Sequence, residues 1–229
     1  MFTMKNFFAF AVIATILTLV PLAVSAQIVN GSFEATDVPL DGFYYFAGGS
    51  TIPGWTIGGS GYGAGIEITG TDYWQASNGN NSVDLIGIYP GSISQDIPTF
   101  TGVTYTVSFD MSGNPMGGNP VKTIIVTAND GQEATYTFDT SVEHNTVTDM
   151  GYSAKAYTFV ANGPVTTLKF TPGPDIIYGP VIDNVAMVSV TAQVCHRNNG
   201  ASGFKTMIVG KPAVAAHLAH GDSVGACAQ

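Results

Sequence analysis

A strict alternation of apolar and polar residues runs from Val103 to Met111 and constrains the fold more than any other feature of the sequence. A period of two places the apolar side chains on one face of a β-strand. Shorter runs of the same kind occupy residues 66–69, 82–88, 92–97, 121–128, 134–138, 155–160, 165–171 and 181–190. Turn residues such as Gly, Pro and Asn separate the runs, and no helical pattern connects them. About nine strands in this arrangement predict an all-β, antiparallel β-sandwich.

The N-terminus predicts export. Lys5 precedes an apolar stretch at residues 7–20, and Val24-Ser25-Ala26 has the small residues of a cleavage site. This is the pattern of a secretory signal peptide, here residues 1–26. No second apolar stretch approaches the length of a membrane span, so the sequence predicts a secreted or cell-surface protein without a transmembrane segment in the mature chain.

Charge and composition exclude two classes of protein. The chain has 7 Lys and Arg against 16 Asp and Glu, a formal net charge of −9. A protein so poor in cations does not neutralise phosphates, and nucleic acid is therefore excluded as a partner. Gly, aromatic and β-branched residues are abundant, whereas charged residues make up 10% of the chain, the opposite of a disordered composition.

A loop region rich in Gly and aromatic residues, residues 37–81, is the first candidate binding surface. Polysaccharides are recognised by aromatic rings under the sugar faces and by amide or carboxylate groups that bond the hydroxyls. The candidate ligand-binding residues are Tyr44, Tyr45, Tyr73, Trp74 and Gln75, with Trp74 as the platform and Gln75 as the hydrogen-bonding partner. Trp55 is instead expected to pack on the core.

The sequence changes character near residue 192, where we place the start of a small C-terminal segment, residues 192–229. One short helix over residues 213–220 is predicted there, with Pro212 in its first turn and Gly221 as the C-cap. Cys195 and Cys227 are predicted to form a disulfide, which would close a loop of about 32 residues and contribute on the order of 3.7 kcal/mol. The alternative is a Cys₂His₂ zinc site completed by His217 and His220.

An ordered set of short motifs resembles the bacterial choice-of-anchor C proteins, relatives of a domain-of-unknown-function family of plant cell-wall proteins. The motifs are Asn30-Gly-Ser-Phe-Glu34, Pro53-Gly-Trp55-Thr56, Tyr73-Trp-Gln-Ala76, Ser82-Val-Asp-Leu85, Pro90-Gly-Ser-Ile-Ser-Gln95, Met111-Ser-Gly-Asn-Pro115 and Ile182-Asp-Asn-Val185. The resemblance implies a galactose-binding-like jelly roll over residues 27–191. It also implies an extracellular, non-catalytic role at cell walls or polysaccharide matrices.

The same resemblance implies a structural Ca²⁺ held by Glu34 and Asp183, since sugar-binding jelly rolls commonly carry such an ion between their first and last strands. Ca²⁺ takes six to eight oxygens, so backbone carbonyls or water would have to complete the site. The alternative is that both carboxylates accept hydrogen bonds from backbone amides at strand ends.

Motifs of catalysis are absent from the sequence. It has no Gly-x-Ser-x-Gly elbow, no His-Glu-x-x-His helix and no phosphate-binding Gly loop followed by Lys. The pairs Glu67/Asp72 and Asp84/Asp96 fit a glycosidase no better than they fit solvated strand ends. The sequence therefore predicts a non-catalytic module that binds a polysaccharide or cell-wall glycan. The alternatives are a structural or adhesive surface protein and, less favoured, a glycan-active enzyme.

Overall fold

The structure, a computed structural model, describes residues 27–129, 131–174, 177–197 and 203–228. The predicted signal peptide lies outside these residues. The described chain forms two six-stranded antiparallel sheets packed face to face and a separate three-stranded sheet at the C-terminus. The predicted all-β sandwich is therefore confirmed. Strands are numbered below in chain order.

Sheet A contains an edge strand from the Gly- and aromatic-rich region and two long strands. Its spatial order is β1 (Phe43–Ala47), β4 (Gly65–Gly70), β5 (Asn81–Asp84), β12 (Pro180–Ser189), β7 (Thr104–Gly113) and β10 (Ser153–Val160).

Sheet B forms the opposite layer. Its spatial order is β2 (Thr51–Ile52), β3 (Trp55–Gly58), β6 (Ser92–Pro98), β11 (Val165–Pro172), β8 (Val121–Ala128) and β9 (Gln132–Asp139). A short helix, α1 (Thr140–Glu143), follows β9. Its N-cap Asp139 accepts a hydrogen bond from the amide of Ser141, which satisfies one of the free donors of a first helical turn.

The C-terminal segment forms a three-stranded sheet in the order β14 (Phe204–Gly210), β13 (Thr191–Arg197) and β15 (Ser223–Val224). We call it the tail sheet. A 3₁₀ turn containing Pro212 leads into α2 (Val214–Ala219), and Gly221 follows with a φ of +88°. The predicted short helix is thus confirmed. The Cys195–Cys227 disulfide is present and ties the chain end to β13.

The core lies between sheets A and B and is filled by the inward positions of the alternating strands. Aromatic rings cross it from one layer to the other. The Phe170 ring centroid lies 6.2 Å from that of Trp55 and 5.2 Å from that of Phe109. Trp55 is only 2% exposed, which confirms its expected place in the core. Among the described residues, no helix is long and apolar enough to cross a membrane.

Phe170 joins the two layers of the core and should be among the residues on which stability depends most. It is fully buried. We expect Phe170→Ala to lower the free energy of unfolding by about 3–5 kcal/mol through lost burial and the cavity left behind. Phe100→Ala, at an exposed ring, should change it by no more than about 0.5 kcal/mol. Urea unfolding of both variants tests this, and equal losses would contradict the assigned core.

Candidate functional site

The outward face of sheet A carries a line of polar and aromatic side chains beginning at its edge. Tyr45 of β1 is the Cα partner of Glu67 in β4, which in turn is the partner of Asp84 in β5. Residues directly opposite in an antiparallel pair project to the same face with Cβ atoms about 5 Å apart. The inward residues Ile66 and Ile68 are fully buried in the core, which places Glu67 between them on the outer face.

Two rings lie beside Glu67 at the edge of this face. Phe43 is two residues before Tyr45 on β1 and 42% exposed. Its centroid is 5.3 Å from that of Tyr73, and the Tyr73 hydroxyl lies 3.6 Å from the Met116 sulfur. We call Phe43, Tyr45, Glu67 and Tyr73 together the aromatic face.

Glu67 is the electrostatic centre of the aromatic face. Its side chain is half-buried, and burial raises its pKa above the ordinary value. No described residue donates a hydrogen bond to its carboxylate. Buried acceptors are normally satisfied, so this carboxylate has unused capacity for donors supplied by a ligand.

Asp84 lies next to Glu67 on the neighbouring strand β5 and is fully buried. Its carboxylate accepts hydrogen bonds from the Ile86 amide at 2.9 Å and from the Asn114 side-chain amide at 2.9 Å. Burial raises the pKa of Asp84 to about 7, and the nearby Glu67 charge adds to that rise. The structure therefore pairs Glu67 with Asp84. It does not form the Glu67/Asp72 and Asp84/Asp96 pairs considered from the sequence, because Asp72 lies in a turn and Asp96 lies on sheet B.

The five residues proposed from the sequence as ligand-binding separate into two groups. Tyr45 and Tyr73 belong to the aromatic face. Trp74 was the proposed platform, and that assignment is wrong: its ring is 1% exposed and its indole N–H donates to the Ser82 hydroxyl at 2.8 Å. Trp74 instead packs with Met150 and Val181 in a second, small apolar cluster on the outer side of sheet A.

Gln75 and Tyr44 also have places other than those proposed. The Gln75 side chain accepts a hydrogen bond from the Met150 amide at 2.9 Å, so it fixes a neighbouring loop. Tyr44 is 51% exposed, but its cross-strand partner is Ile68, which points to the core side of the sheet. Phe43 was not predicted from the sequence, because the run of Phe43–Ala47 has no alternation that indicates which rings share a face.

The loop that carries Trp74 is held by two carboxylates. Asp183 accepts the amides of Ser77 and Asn78 at 2.8 and 2.7 Å through one oxygen. Glu34 accepts the amides of Asn80 and Asn81 at 2.8 and 2.7 Å in the same way. Successive backbone N–H groups that point at one anion are a common device for fixing a loop.

Gly79 lies between these two amide pairs and has no room for a side chain. Its φ is +72°, and a Cβ there would lie 2.6 Å from the Glu34 carboxyl carbon. The sequence favours this loop conformation because glycine alone adopts such a backbone without cost. Glu34 and Asp183 thus have the contacts of the hydrogen-bonding alternative. Calcium at these two residues stays a prediction.

A concave surface lies on sheet B, an open depression of about 490 Å³. Its lining consists of Thr51, Ile52, Gly54, Trp55, Thr56, Ser94, Gln95 and Asp96. Asp96 accepts the Thr167 hydroxyl at 2.6 Å, and the Trp55 ring is turned into the core. This depression offers hydroxyls but no exposed ring face.

The tail contains a third group of functional side chains. Because Cys195 and Cys227 form the disulfide, the alternative Cys₂His₂ zinc site is absent from the described residues. His220 lies exposed just beyond α2. His217 instead meets His196 at the carboxylate of Asp222. Hydrogen bonds from His196 and from the Arg197 amide hold the pKa of Asp222 well below its usual range.

Residues 26–188 match the family described as protein of unknown function DUF642. The chain belongs to this family. The match covers the sandwich and ends just before the close of β12, so the tail sheet lies outside the DUF642 region. No curated protein matches the chain.

Solved structures similar to this DUF642 protein share only distant likeness. The carbohydrate-binding module TmCBM61, solved with β-1,4-galactotriose, has 15% identity and a TM-score of 0.40, over 59% of this chain and 88% of that one. A family 35 carbohydrate-binding module from Clostridium thermocellum has 10% identity and a TM-score of 0.39, over 71% and 98%. A Bacillus thuringiensis Cry1Da toxin core has 11% identity and a TM-score of 0.41, over 58% and 22%. Likeness at this level carries no argument about a ligand.

Asp84 should make stability depend on pH. Its folded pKa of about 7 lies above that of an unfolded aspartate, about 4, so the folded state holds a proton that the unfolded state has lost between these values. The free energy of unfolding should therefore fall as pH rises through this window, by up to about 1.4 kcal/mol per pH unit for this group. Asp84→Asn should flatten the slope by that amount in urea titrations at about pH 4.5, 5.5 and 6.5. An unchanged slope would show that Asp84 is ionised throughout.

The hydrogen bonds of Glu34 also allow a test of the calcium prediction. Glu34→Gln should lower the melting temperature, because an amide oxygen is a weaker acceptor for two backbone N–H groups than a carboxylate. If the two amides on Oε1 are the native partners of the carboxylate, EGTA should leave the melting temperature of the unmodified protein unchanged. A clear drop with EGTA, reversed by added Ca²⁺, would instead show that the folded protein binds calcium.

Proposed function

We propose that this protein is a non-catalytic carbohydrate-binding module and that the aromatic face is its binding surface. The observation that carries the proposal is the half-buried Glu67 carboxylate, which no described residue bonds. It lies opposite Tyr45 in the strand pair that also carries Phe43, the ring partner of Tyr73. Sugars present apolar ring faces and hydroxyl donors side by side, which is the combination that this surface complements.

Each residue of the aromatic face has a separate role in this proposal. Phe43 and Tyr73 provide ring surface at the sheet edge, where a chain longer than one sugar can extend past the domain. Glu67 accepts hydrogen bonds from hydroxyls in the middle of the surface. Tyr45 is fixed by its own hydroxyl, which donates to the Ala64 carbonyl at 3.0 Å, and so presents a rigid ring wall next to Glu67.

The burial of Asp84 supports the non-catalytic part of the proposal. Glycoside hydrolysis needs two carboxyl groups that both reach the scissile bond. Asp84 is fully buried and bonded to the Ile86 and Asn114 amides, so it is out of reach of a sugar lying on the surface. Glu67 alone provides a hydrogen-bond acceptor but no catalytic pair.

We propose further that the ligand is a polysaccharide of a cell wall or matrix and that the protein works outside the cell. The predicted signal peptide supports export, and the Cys195–Cys227 disulfide is typical of proteins in oxidising compartments. The motif order that resembles the choice-of-anchor C proteins supports a place at the cell envelope.

Variants of the aromatic face test the proposal directly. Phe43→Ala, Tyr73→Ala and Glu67→Gln should each weaken binding to the polysaccharide selected by a glycan array, by roughly tenfold for the loss of about 1.4 kcal/mol. Tyr44→Ala is the matched control, because it removes an exposed ring of the same strand on the opposite face and should leave affinity unchanged. Isothermal titration with soluble oligosaccharides gives the affinities.

Two outcomes would overturn the proposal. Absence of binding to every glycan and insoluble polysaccharide tested would remove carbohydrate as the ligand and favour a structural or adhesive protein. Sugar release that Glu67→Gln abolishes would show an enzyme.

A further inference from the structure

The tail sheet holds a cluster of metal-binding side chains that the carbohydrate proposal does not use. His196 at the end of β13, His217 in α2 and Asp222 before β15 each offer a ligand atom, and these three atoms lie within 4.8 Å of one another. It is the one group of three or more His, Cys, Asp or Glu with such convergence among the residues that the structure describes.

Asp222 is the centre of this cluster. Its side chain is 1% exposed, and one of its oxygens lies 2.8 Å from Nδ1 of His196 and 2.8 Å from Nδ1 of His217. The other oxygen accepts the Arg197 amide at 3.0 Å. Both imidazole Nδ1 atoms therefore converge on one buried carboxylate oxygen.

We propose that His196, His217 and Asp222 bind one divalent transition-metal ion, zinc being the probe, through both Nδ1 atoms and the shared carboxylate oxygen. Three protein ligands and a water complete a tetrahedral zinc site. Ligand atoms about 2.0–2.1 Å from zinc lie roughly 3.3 Å apart in a tetrahedron, so small rotations of the two rings open the present 2.8 Å contacts enough to admit the ion.

The exposure of the cluster fits a metal that enters from solvent. The side chains of His196 and His217 are 31% and 21% exposed, whereas Asp222 is closed off below them. The ring planes meet at 89°, so the two imidazoles approach the carboxylate from different directions. An open side next to a buried anion leaves room for the water ligand.

The chemistry of the donors selects the class of metal. Imidazole nitrogen with one carboxylate oxygen suits zinc and its first-row neighbours, whereas Ca²⁺ and Mg²⁺ require more oxygens. Both thiols are taken up by the disulfide, so the site holds no sulfur ligand. It is therefore distinct from the Cys₂His₂ site considered from the sequence, and His220 is no part of it.

An ion bound at this cluster would stabilise the position of α2. None of the six residues of α2 is buried, so the helix contributes no side chain to an apolar core that would fix it. The contact of His217 Nδ1 with the Asp222 carboxylate links the helix to the turn before β15, beside a hydrogen bond from the Asp222 amide to the His217 carbonyl. A metal ion would replace that link by a stronger one between β13, α2 and the turn before β15.

Zinc titration of the full chain with its disulfide closed tests this proposal. After removal of metal with EDTA and dialysis against zinc sulfate, mass spectrometry should find one zinc per chain. His196→Ala and His217→Ala should each raise the dissociation constant by at least about 100-fold, since the loss of an outer-shell partner alone costs roughly 10–100-fold. His220→Ala is the matched control, an exposed histidine in the same segment, and should bind zinc as the unmodified protein does.

A second measurement needs no substitution of a proposed ligand. In ¹H–¹⁵N spectra of the unmodified protein, zinc should shift the Nδ1 signals of two imidazoles and leave the other two unchanged, with His220→Ala and His144→Ala used for assignment.

Three results would each overturn the proposal. The first is that the protein retains no zinc. The second is that His220→Ala loses as much binding as the variants of His196 and His217, and the third is that only Nε2 signals shift. The second would identify adventitious binding by surface histidines.

Discussion

The structure depends on the burial of both faces of β12 at the centre of sheet A. Its inward residue Ile182 lies in the main core, and its outward residue Val181 joins the small cluster around Trp74. An antiparallel sheet usually leaves one face to water. Here the loop of residues 73–81 partly covers the outer face. The sheet therefore packs on both of its faces, and other residues must hold the loop in place.

Asp183, the next residue of β12, shows how that loop is held. A carboxylate at the centre of a sheet is costly to bury, and burial raises the pKa of Asp183 to about 7. The amides of Ser77 and Asn78 offset the cost by bonding it, and Glu34 bonds the two amides that follow Gly79. These hydrogen bonds fix the loop at residues 77–78 and 80–81, and they keep Trp74 packed on the sheet. The half-buried ring of Tyr73 packs against the cluster around Trp74, so its position depends on its buried neighbour.

The sequence predicted the parts of the fold that rest on a single periodicity. The alternation from Val103 to Met111 predicted β7, and the run of residues 121–128 coincides with β8. It did not predict β1, where Phe43–Ala47 is apolar at nearly every position, nor the two-residue β2, whose residues follow the pairing of β3. Such strands form because a neighbouring strand offers hydrogen bonds, and this information is absent from their own residues.

The candidate sites were predictable in composition but not in geometry. Aromatic residues near a glycine-rich loop indicated the region that contains the aromatic face, yet the sequence favoured Trp74, the largest ring. A large ring has the most to gain from burial, and Trp74 also found a partner for its N–H in Ser82. Glu67 was considered only as a partner of Asp72. Its true neighbours, Tyr45 and Asp84, are set by strand register, which local sequence does not reveal.

The tail is stabilised by different interactions from those that stabilise the sandwich. A segment of fewer than 40 residues buries too little apolar surface to order itself, and here Val194 and Cys195 are the only hydrophobic residues of its described part that are buried. Cross-links between distant points of the chain replace the missing core. The disulfide fixes the chain end to β13 but leaves α2 untouched. The contacts of His196 and His217 with Asp222 connect α2 to β13. A metal ion bound there would add a cross-link at the part of the tail that the disulfide does not reach.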